Sequence, residues 1–249
     1  MPTDDDSAST ARVDAGHFQT THWSVVLAAG QRVTPQSAEA LEKLCRTYWY
    51  PLYAYIRRQG YDAHDAQDLT QAFFARFLEK NYLGDVDRAK GKFRSFLLAS
   101  LKHFLANEWD KARAKKRGGA QTFIPLDNGS AETRYGLEPA HDETADKIYE
   151  RRWALTLLDQ VLARLQGEYV AAGKTRSFDE LKVFLTGEKS SAPYSEVAAK
   201  LKLTEGAVKV AVHRLRHRYR ELLRAEIAQT VGSPDEIDAE LRHLFAALS

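Results

Sequence analysis

The chain has 249 residues, of which 44% are hydrophobic, enough to bury the core of one large domain or two small ones. Its 36 basic and 34 acidic residues nearly cancel, so the overall charge does not by itself indicate a partner. The single cysteine, Cys45, excludes an internal disulfide and a thiolate zinc site, and no apolar stretch approaches the roughly 18 residues of a membrane span. Because the N-terminus is acidic and polar, we expect no secretory signal, a cytoplasmic location and no membrane contact.

The first 37 residues give little indication of a folded unit. Residues 1–16 are polar and short of large apolar side chains, which predicts a disordered N-terminus. Residues 17–37 contain one short apolar run, and we interpret them as an N-terminal extension of the domain that follows.

Residues 38–117 contain three segments in which apolar side chains recur at helical spacing. Gly60 ends the first segment, and Asp62 is suited to cap the N-terminus of the second. The third segment becomes basic towards its end, where the helix dipole favours cations. We predict three helices around one core, which together form the first domain.

The basic end of this domain is a candidate surface for nucleic acid. Residues 111–117 hold five basic residues in seven, and Lys102 and Trp109 precede them. Melted DNA needs cations for its phosphates and stacking faces for its bases, and this region offers both. The alternative is that Trp109 belongs to the core and that the basic cluster is a solvated helix end.

The next segment differs in composition from the domains on either side. Residues 118–147 are acidic and interrupted by glycine and proline, with almost no periodic apolar side chains. Such a segment cannot bury a core, so we predict a flexible acidic linker that stays extended and mobile in the free protein.

The second domain, residues 148–224, ends in a pattern typical of a helix-turn-helix. A short amphipathic segment from residue 194 is followed by a tight turn and a longer amphipathic segment. Ser195 and Thr204 are suited to cap the two helices. Lys202 occupies a turn position at which many such motifs carry glycine, so we expect it to adopt a left-handed conformation.

The outer face of the longer helix is suited to DNA. In helix-turn-helix proteins the second helix enters the major groove, and later arginines meet phosphates. The alternative is an ordinary amphipathic helix pair whose polar face is solvated. The exposed positions on this face are Lys209, Val210, His213, Arg214, His217 and Arg220.

The pattern as a whole predicts an all-α fold, because no segment alternates apolar and polar residues with the turn spacing of a sheet. We predict two small helical domains joined by the flexible acidic linker, the second of which contains the helix-turn-helix.

Catalytic chemistry finds no support in the sequence. His213 and His217 lie four residues apart, a spacing that can bind a metal, but no acid accompanies them within the helix. Asp65 and Asp68 face outwards on their helix, unlike a buried acid-base pair. With no phosphate loop or nucleophile motif, we predict no enzyme, no cofactor and no metal site.

Three segments, in this order, resemble the extracytoplasmic-function class of bacterial RNA polymerase sigma factors, within the sigma-70 family. They are "DAHDAQDLTQAFFARFLEK", "SLKHFLANEWDKARAKKR" and "YSEVAAKLKLTEGAVKVAVHRLRHRYRELL". The resemblance covers about residues 38–117 and 150–224. It implies that the first domain binds core RNA polymerase and captures the melted −10 element, while the second reads the −35 element.

The resemblance and the charge pattern together assign three groups of site residues. The candidates for polymerase binding are Asp65, Asp68, Gln71 and Phe74. The candidates for the −10 element are Lys102, Asn107, Trp109, Lys111, Arg113 and Lys116. The candidates for the −35 element are Thr204, Lys209, His213, Arg214, His217, Arg218 and Arg220.

The partners implied are core RNA polymerase, promoter DNA and an anti-sigma or other regulatory protein. The rival hypothesis is a helix-turn-helix transcriptional regulator that does not engage polymerase. Both predict DNA binding by residues 194–224, and they differ in what the first domain does.

Residues 225–249 extend beyond the resemblance and are read from the sequence alone. Gly232 and Pro234 break the preceding helix, and Ser233 or Asp235 can cap a new one. The new helix carries one apolar stripe and an acidic start. It is either a stabilising cap on the second domain or an autoinhibitory or partner-binding element whose acids mimic DNA against the face from Arg214 to Arg220. The stripe comprises Ile237, Leu241, Leu244, Phe245 and Leu248.

Overall fold

A computed structural model of the chain describes residues 35–79, 92–114, 129–136, 143–185 and 193–249. Within these ranges the chain consists of α-helices and short 3-10 segments, with one isolated β-bridge, which confirms the all-α prediction. The α-helices are α1 (Pro35–Arg58), α2 (Ala63–Glu79), α3 (Phe93–Ala114), α4 (Gly129–Tyr135), α5 (Ala145–Ala171), α6 (Thr175–Leu181), α7 (Tyr194–Leu201), α8 (Glu205–Ala228) and α9 (Ile237–Ala246). The predicted disordered N-terminus and most of the N-terminal extension lie outside the described residues.

The boundary between α1 and α2 follows the local signals of the sequence. Gly60 has a φ of +97°, a left-handed conformation that glycine adopts without strain, and it ends α1 as predicted. The Asp62 side chain accepts a hydrogen bond from the backbone N–H of Asp65 at 2.8 Å, which confirms the predicted cap of α2.

The two predicted domains share one hydrophobic core. Helix α1 packs most extensively against α5, which lies in the other predicted domain. Buried Tyr48, Leu52 and Ile56 of α1 belong to the same cluster as buried Trp153 and Leu157 of α5. The division into two small domains is therefore not confirmed, because the core is continuous across it.

Part of the predicted flexible linker is helical and packed, which corrects the expectation of an extended tether over those residues. Helix α4 buries Ala131 and pairs Glu132 with Arg57 of α1, at 2.7 Å between Oε1 and Nη2. The Tyr53 hydroxyl donates a hydrogen bond to the same carboxylate. Thr144 caps α5, so residues 145–147 also belong to a helix. Residues 118–128 and 137–142 of the predicted linker lie outside the described residues.

The remaining helices pack on α5 or on helices that contact it. Helix α8 packs along α5, and the short helices α6 and α7 fill the space beside it. Helix α9 contacts both α5 and α8. No helix in the described ranges has both the length and the apolar character to cross a bilayer.

The C-terminal helix forms where the sequence predicts it, with a capping box that starts at Ser233. The carboxylate of Glu236 accepts a hydrogen bond from the Ser233 backbone N–H at 3.2 Å. Leu244 is fully buried, but Phe245, predicted on the same stripe, is exposed.

Candidate nucleic-acid interface

The turn between α7 and α8 has the geometry that the sequence predicts. Lys202 adopts φ 57° and ψ 42°, the left-handed conformation expected of it. The Leu203 N–H donates to the Ala198 carbonyl at 2.9 Å and the Lys202 N–H to that of Ala199 at 3.3 Å. These two bonds form a Schellman motif, which satisfies carbonyls at the end of α7 and redirects the chain.

Of the two residues predicted to cap α7 and α8, Thr204 is a cap and Ser195 is not. Thr204 accepts a hydrogen bond from the Ala207 N–H at 3.2 Å, which confirms it as the N-cap of α8. Ser195 is not the cap of α7, because that helix begins one residue earlier, at Tyr194, after Pro193. Pro193 occupies the N-cap position, with φ −53° and ψ 142°, and provides no side-chain cap hydrogen bond.

Burial fixes the orientation of α8. Val208, Val212 and Leu215 are buried on its inner face, where α7 presents buried Val197 and Ala198. The small Ala198 allows the two helices to approach closely. The outer face of α8 is therefore presented to solvent in a single orientation.

Every residue predicted on that outer face is exposed. Lys209 lies at the N-terminal end, with its Nζ 5.7 Å from the centroid of the Tyr194 ring. Val210 is a large apolar side chain that is half exposed among polar neighbours. Arg214 and Arg220 form no ion pair with any other described residue. The exposed set is Lys209, Val210, His213, Arg214, His217 and Arg220.

The remaining arginines of α8 are held by partners within the protein. Arg216 donates two hydrogen bonds to the Phe184 carbonyl, at 2.9 and 3.1 Å. Arg218 binds both oxygens of Glu168, at 2.7 and 2.8 Å, and also Glu221 at 2.9 Å. These hydrogen bonds raise the pKa of Arg218, and the bond from Arg218 lowers the pKa of Glu168. The charge of Arg218 is compensated by these two carboxylates, whereas no described residue pairs with Arg214 or Arg220.

A second candidate surface is an open cleft of about 570 Å³ between the end of α1 and the middle of α3. The Trp109 side chain lies at its rim, 57% exposed, which contradicts the alternative that this residue belongs to the core. Lys102 reaches across the cleft, with its Nζ 5.9 Å from the centroid of the Tyr55 ring. The lining residues are Tyr55, Gln59, Gly60, Tyr61, Lys102, Leu105, Ala106 and Trp109.

One side of this cleft meets the start of α5. The Lys102 Nζ lies 2.8 Å from the Asp146 carboxylate, and that hydrogen bond raises the pKa of Lys102. The ion pair is half exposed, so it is weak and exchangeable. A phosphate can replace Asp146 as the partner of Lys102 at little cost.

The structure accounts for only part of the predicted −10 set. Lys102 and Trp109 line the cleft, and Asn107 is exposed on α3 next to it. The side chains of Lys111 and Arg113, and all of Lys116, lie outside the described residues. The sequence analysis missed Tyr55, Gln59 and Tyr61. The signal that could have found them is Gly60, whose turn brings the end of α1 back towards α3.

The residues predicted to bind polymerase do not all lie at the surface. Asp65 is exposed and Asp68 is partly exposed, 3.4 Å from His64, while Gln71 is half buried. Phe74 is 7% exposed and packs on Phe73 with 5.4 Å between ring centroids. The Phe74 ring therefore belongs to the core of the chain and is not accessible to a partner in this arrangement.

Comparisons with known proteins do not extend this description: no family model, curated protein or solved structure matches the chain. Within the described ranges, no group of three or more His, Cys, Asp or Glu side chains could hold a metal ion. What the chain does must therefore be inferred from the two surfaces, the outer face of α8 and the cleft beside Trp109.

Proposed function

We propose that the chain is a transcription initiation factor of the extracytoplasmic-function sigma class. In this proposal it binds core RNA polymerase and directs it to specific promoters, reading the −35 element and melting and capturing the −10 element. The observation that carries the proposal is the presence of two surfaces of different character on one chain. One is suited to the groove of a duplex and the other to unpaired bases.

The outer face of α8 supports duplex reading. A helix fits the major groove of B-DNA, and side chains in its first turns reach the base edges. Lys209, His213 and Arg214 supply hydrogen-bond donors there, and exposed Val210 can contact a thymine methyl group. Arg220, further along the helix, is placed for a phosphate.

The cleft supports the binding of melted DNA. An unpaired base stacks on an aromatic side chain, and Trp109 offers an exposed indole beside Lys102 and the rings of Tyr55 and Tyr61. The amide of Gln59 can form hydrogen bonds with a base edge. A regulator that reads duplex DNA alone has no use for such a cleft.

The acidic face of α2 supports polymerase docking. Asp65 and Asp68 are accessible on one helix, and a charged rim is common in protein interfaces. Because Phe74 is buried, the contact in this proposal depends on polar side chains at the surface of α2, with Phe74 holding the helix in place.

Transcription in a purified system tests the proposal. The full chain is added to bacterial core polymerase with a library of genomic DNA fragments, and transcripts are mapped. We expect initiation at discrete sites that share two sequence elements. If the chain binds duplex DNA but neither binds core polymerase nor produces transcripts, the rival regulator hypothesis replaces the proposal.

A matched pair of charge reversals tests the docking surface. Asp68→Arg should weaken binding to core polymerase, whereas Asp179→Arg, an exposed acid on α6, should not. Equal affinity of both variants for core would contradict the role assigned to α2.

A further inference from the structure

A buried ion network joins the C-terminal helix to the N-terminal half of the chain. Arg94, in the first turn of α3, is 5% exposed, and Glu240 of α9 is 1% exposed. The Arg94 Nε lies 2.5 Å from Glu240 Oε1, and its Nη1 lies 2.5 Å from Glu150 Oε1 of α5. Lys92 approaches the second oxygen of Glu240 at 2.8 Å.

Backbone contacts run beside this network. The Phe93 N–H donates to the Thr230 carbonyl at 3.1 Å, and Lys92 forms an antiparallel bridge with Val231. His243 of α9 lies 2.9 Å from Glu150. Residues 230–243 thus contact both the start of α3 and α5. We call this set of contacts, formed with residues 92–94, the clasp.

The acids of the C-terminal helix do not cover the DNA-reading face, which corrects one of the two expectations for this segment. Glu240 points to Arg94, and Asp238 pairs with Arg224 at 2.5 Å, away from the stretch between Arg214 and Arg220. Any inhibition by this segment must therefore act by fixing the position of α3 relative to α5, and not by covering the outer face of α8.

The energetics of the network suit a two-state contact. Burial disfavours the charged form of Arg94, but hydrogen bonds to Glu240 and the charge of Glu150 outweigh it, so its pKa is raised. A buried ion pair gains little over solvated ions, because desolvation offsets the attraction, yet removing one partner is strongly unfavourable. Each charge is satisfied in the closed arrangement by its partner and in an open arrangement by water.

The dimensions of a promoter require an open arrangement. Elements centred near −10 and −35 are about 25 base pairs apart, or about 85 Å along B-DNA. A compact chain of 249 residues has a radius of gyration of about 18 Å and a diameter of about 46 Å. With α1 packed on α5, the cleft and the α8 face cannot reach both elements.

We propose that the clasp is an autoinhibitory contact that stabilises this closed form in addition to the apolar packing of α1 on α5, and that engaging a promoter requires Arg94 and Glu240 to separate. The clasp limits the open population, and the apparent affinity of the polymerase-bound chain for a promoter falls by the same factor. The link to promoter engagement rests on the proposed sigma function, whereas the link between the clasp and the closed form does not.

A distance measurement tests the clasp independently of any function. Labels are attached to Ala99→Cys on α3 and Gln166→Cys on α5 in the full chain, with Cys45→Ser as background. Glu240→Gln should raise the population with a long label distance at least about tenfold, because Arg94 and Lys92 then lose the carboxylate that joins them to α9. Asp238→Asn is the matched control: it alters the same helix, but its ion pair joins α9 to α8 alone, so we expect no change. A folded Glu240→Gln chain that keeps the short distance overturns the proposal.

A reversible crosslink keeps the proposal testable if Glu240→Gln does not fold. Residues paired across an antiparallel bridge have Cα atoms about 4.5–5.5 Å apart, within the range of a disulfide. In the Cys45→Ser background, Lys92→Cys with Val231→Cys should therefore form a disulfide that locks the clasp. In complex with core polymerase, the oxidised protein should bind a promoter at least about tenfold more weakly than the same protein after reduction. Equal binding in both states overturns the autoinhibitory role.

The two readouts separate the two proposals. If the labels report opening but no form of the chain binds core polymerase, the sigma function fails and the clasp stands. If the reduced and oxidised forms both bind and initiate equally, the sigma function stands and the autoinhibition fails.

Discussion

The arginines of α8 and Arg94 of α3 are the same side chain in opposite surroundings. Arg214 and Arg220 are exposed with no ion pair among the described residues, whereas Arg94 is buried between two carboxylates. Arg218 is intermediate, exposed but bound to Glu168 and Glu221. The comparison shows that a charge is readily available to a ligand where it is exposed with no partner among the described residues, and unavailable where it is buried between partners.

The largest effect on stability is expected from substitution of the buried Arg94. Arg94→Met leaves buried Glu240 with Lys92 alone and Glu150 with His243 alone, and we expect a loss of about 3–5 kcal/mol in the free energy of unfolding. Chemical denaturation measures it. The double variant Arg94→Met with Glu240→Met should recover much of the loss, because a packed apolar pair can replace an ion pair. A loss below about 1 kcal/mol for the single variant would contradict the role given to the network.

Trp153 and Trp109 show the same contrast between a buried and an exposed side chain, but without a charge. Trp153 is fully buried, so Trp153→Ala should destabilise the chain by about 3–5 kcal/mol. Exposed Trp109→Ala should leave the melting temperature nearly unchanged and weaken binding of single-stranded DNA by about 1–3 kcal/mol. Fluorescence titration with an oligonucleotide measures the second effect. Unchanged affinity would remove Trp109 from the binding surface.

Salt dependence separates the free arginines from the compensated one. Arg214→Ala or Arg220→Ala should reduce the slope of log affinity against log salt by roughly 0.9 for each phosphate that the variant no longer neutralises. Arg218→Ala should change it less, because Glu168 and Glu221 already neutralise that charge. An equal change for all three would show that DNA displaces both carboxylates from Arg218.

A residue of α8 that contacts a base contributes more to the affinity for the preferred sequence than to the affinity for random DNA. If Lys209, His213 or Arg214 contacts a base, its replacement by alanine should cost roughly 1–3 kcal/mol on the preferred sequence and less on random DNA. Competition binding with both kinds of DNA measures the difference. Equal losses on both would assign these residues to the phosphates.

The smallest effect on stability is expected from the partly exposed ion pair between Arg57 and Glu132, which joins α4 to α1. The hydrogen bond from Arg57 lowers the pKa of Glu132, so the pair stabilises the fold fully above the unfolded pKa, about 4.3. The contribution is lost as the pH falls through the lower value of the folded state. Glu132→Gln should cost at most about 1 kcal/mol at pH 7 and almost nothing near pH 3. Denaturation of both proteins at each pH measures the difference.

The sequence predicted what depends on neighbours along the chain. Gly60, Asp62 and Thr204 terminate or cap helices through bonds that span three or four residues, so their roles follow from local order. Lys202 shows that a turn of defined length imposes a left-handed conformation even on a residue with a side chain. The exposed face of α8 followed from helical periodicity in the same way.

Tertiary structure decided what depends on residues far apart in sequence. Arg94 and Glu240 are separated by 146 positions, so no pattern along the chain could pair them. Phe74 belongs to the core because α2 packs with that face inwards, and helical spacing alone does not fix which aromatic side chains face outwards. Helix α4 is ordered by Arg57 and Tyr53 of α1, and its own composition predicted a flexible segment. Local hydrogen bonds fix where a helix begins and ends, but the burial of a side chain depends on the surfaces that the rest of the chain brings to it.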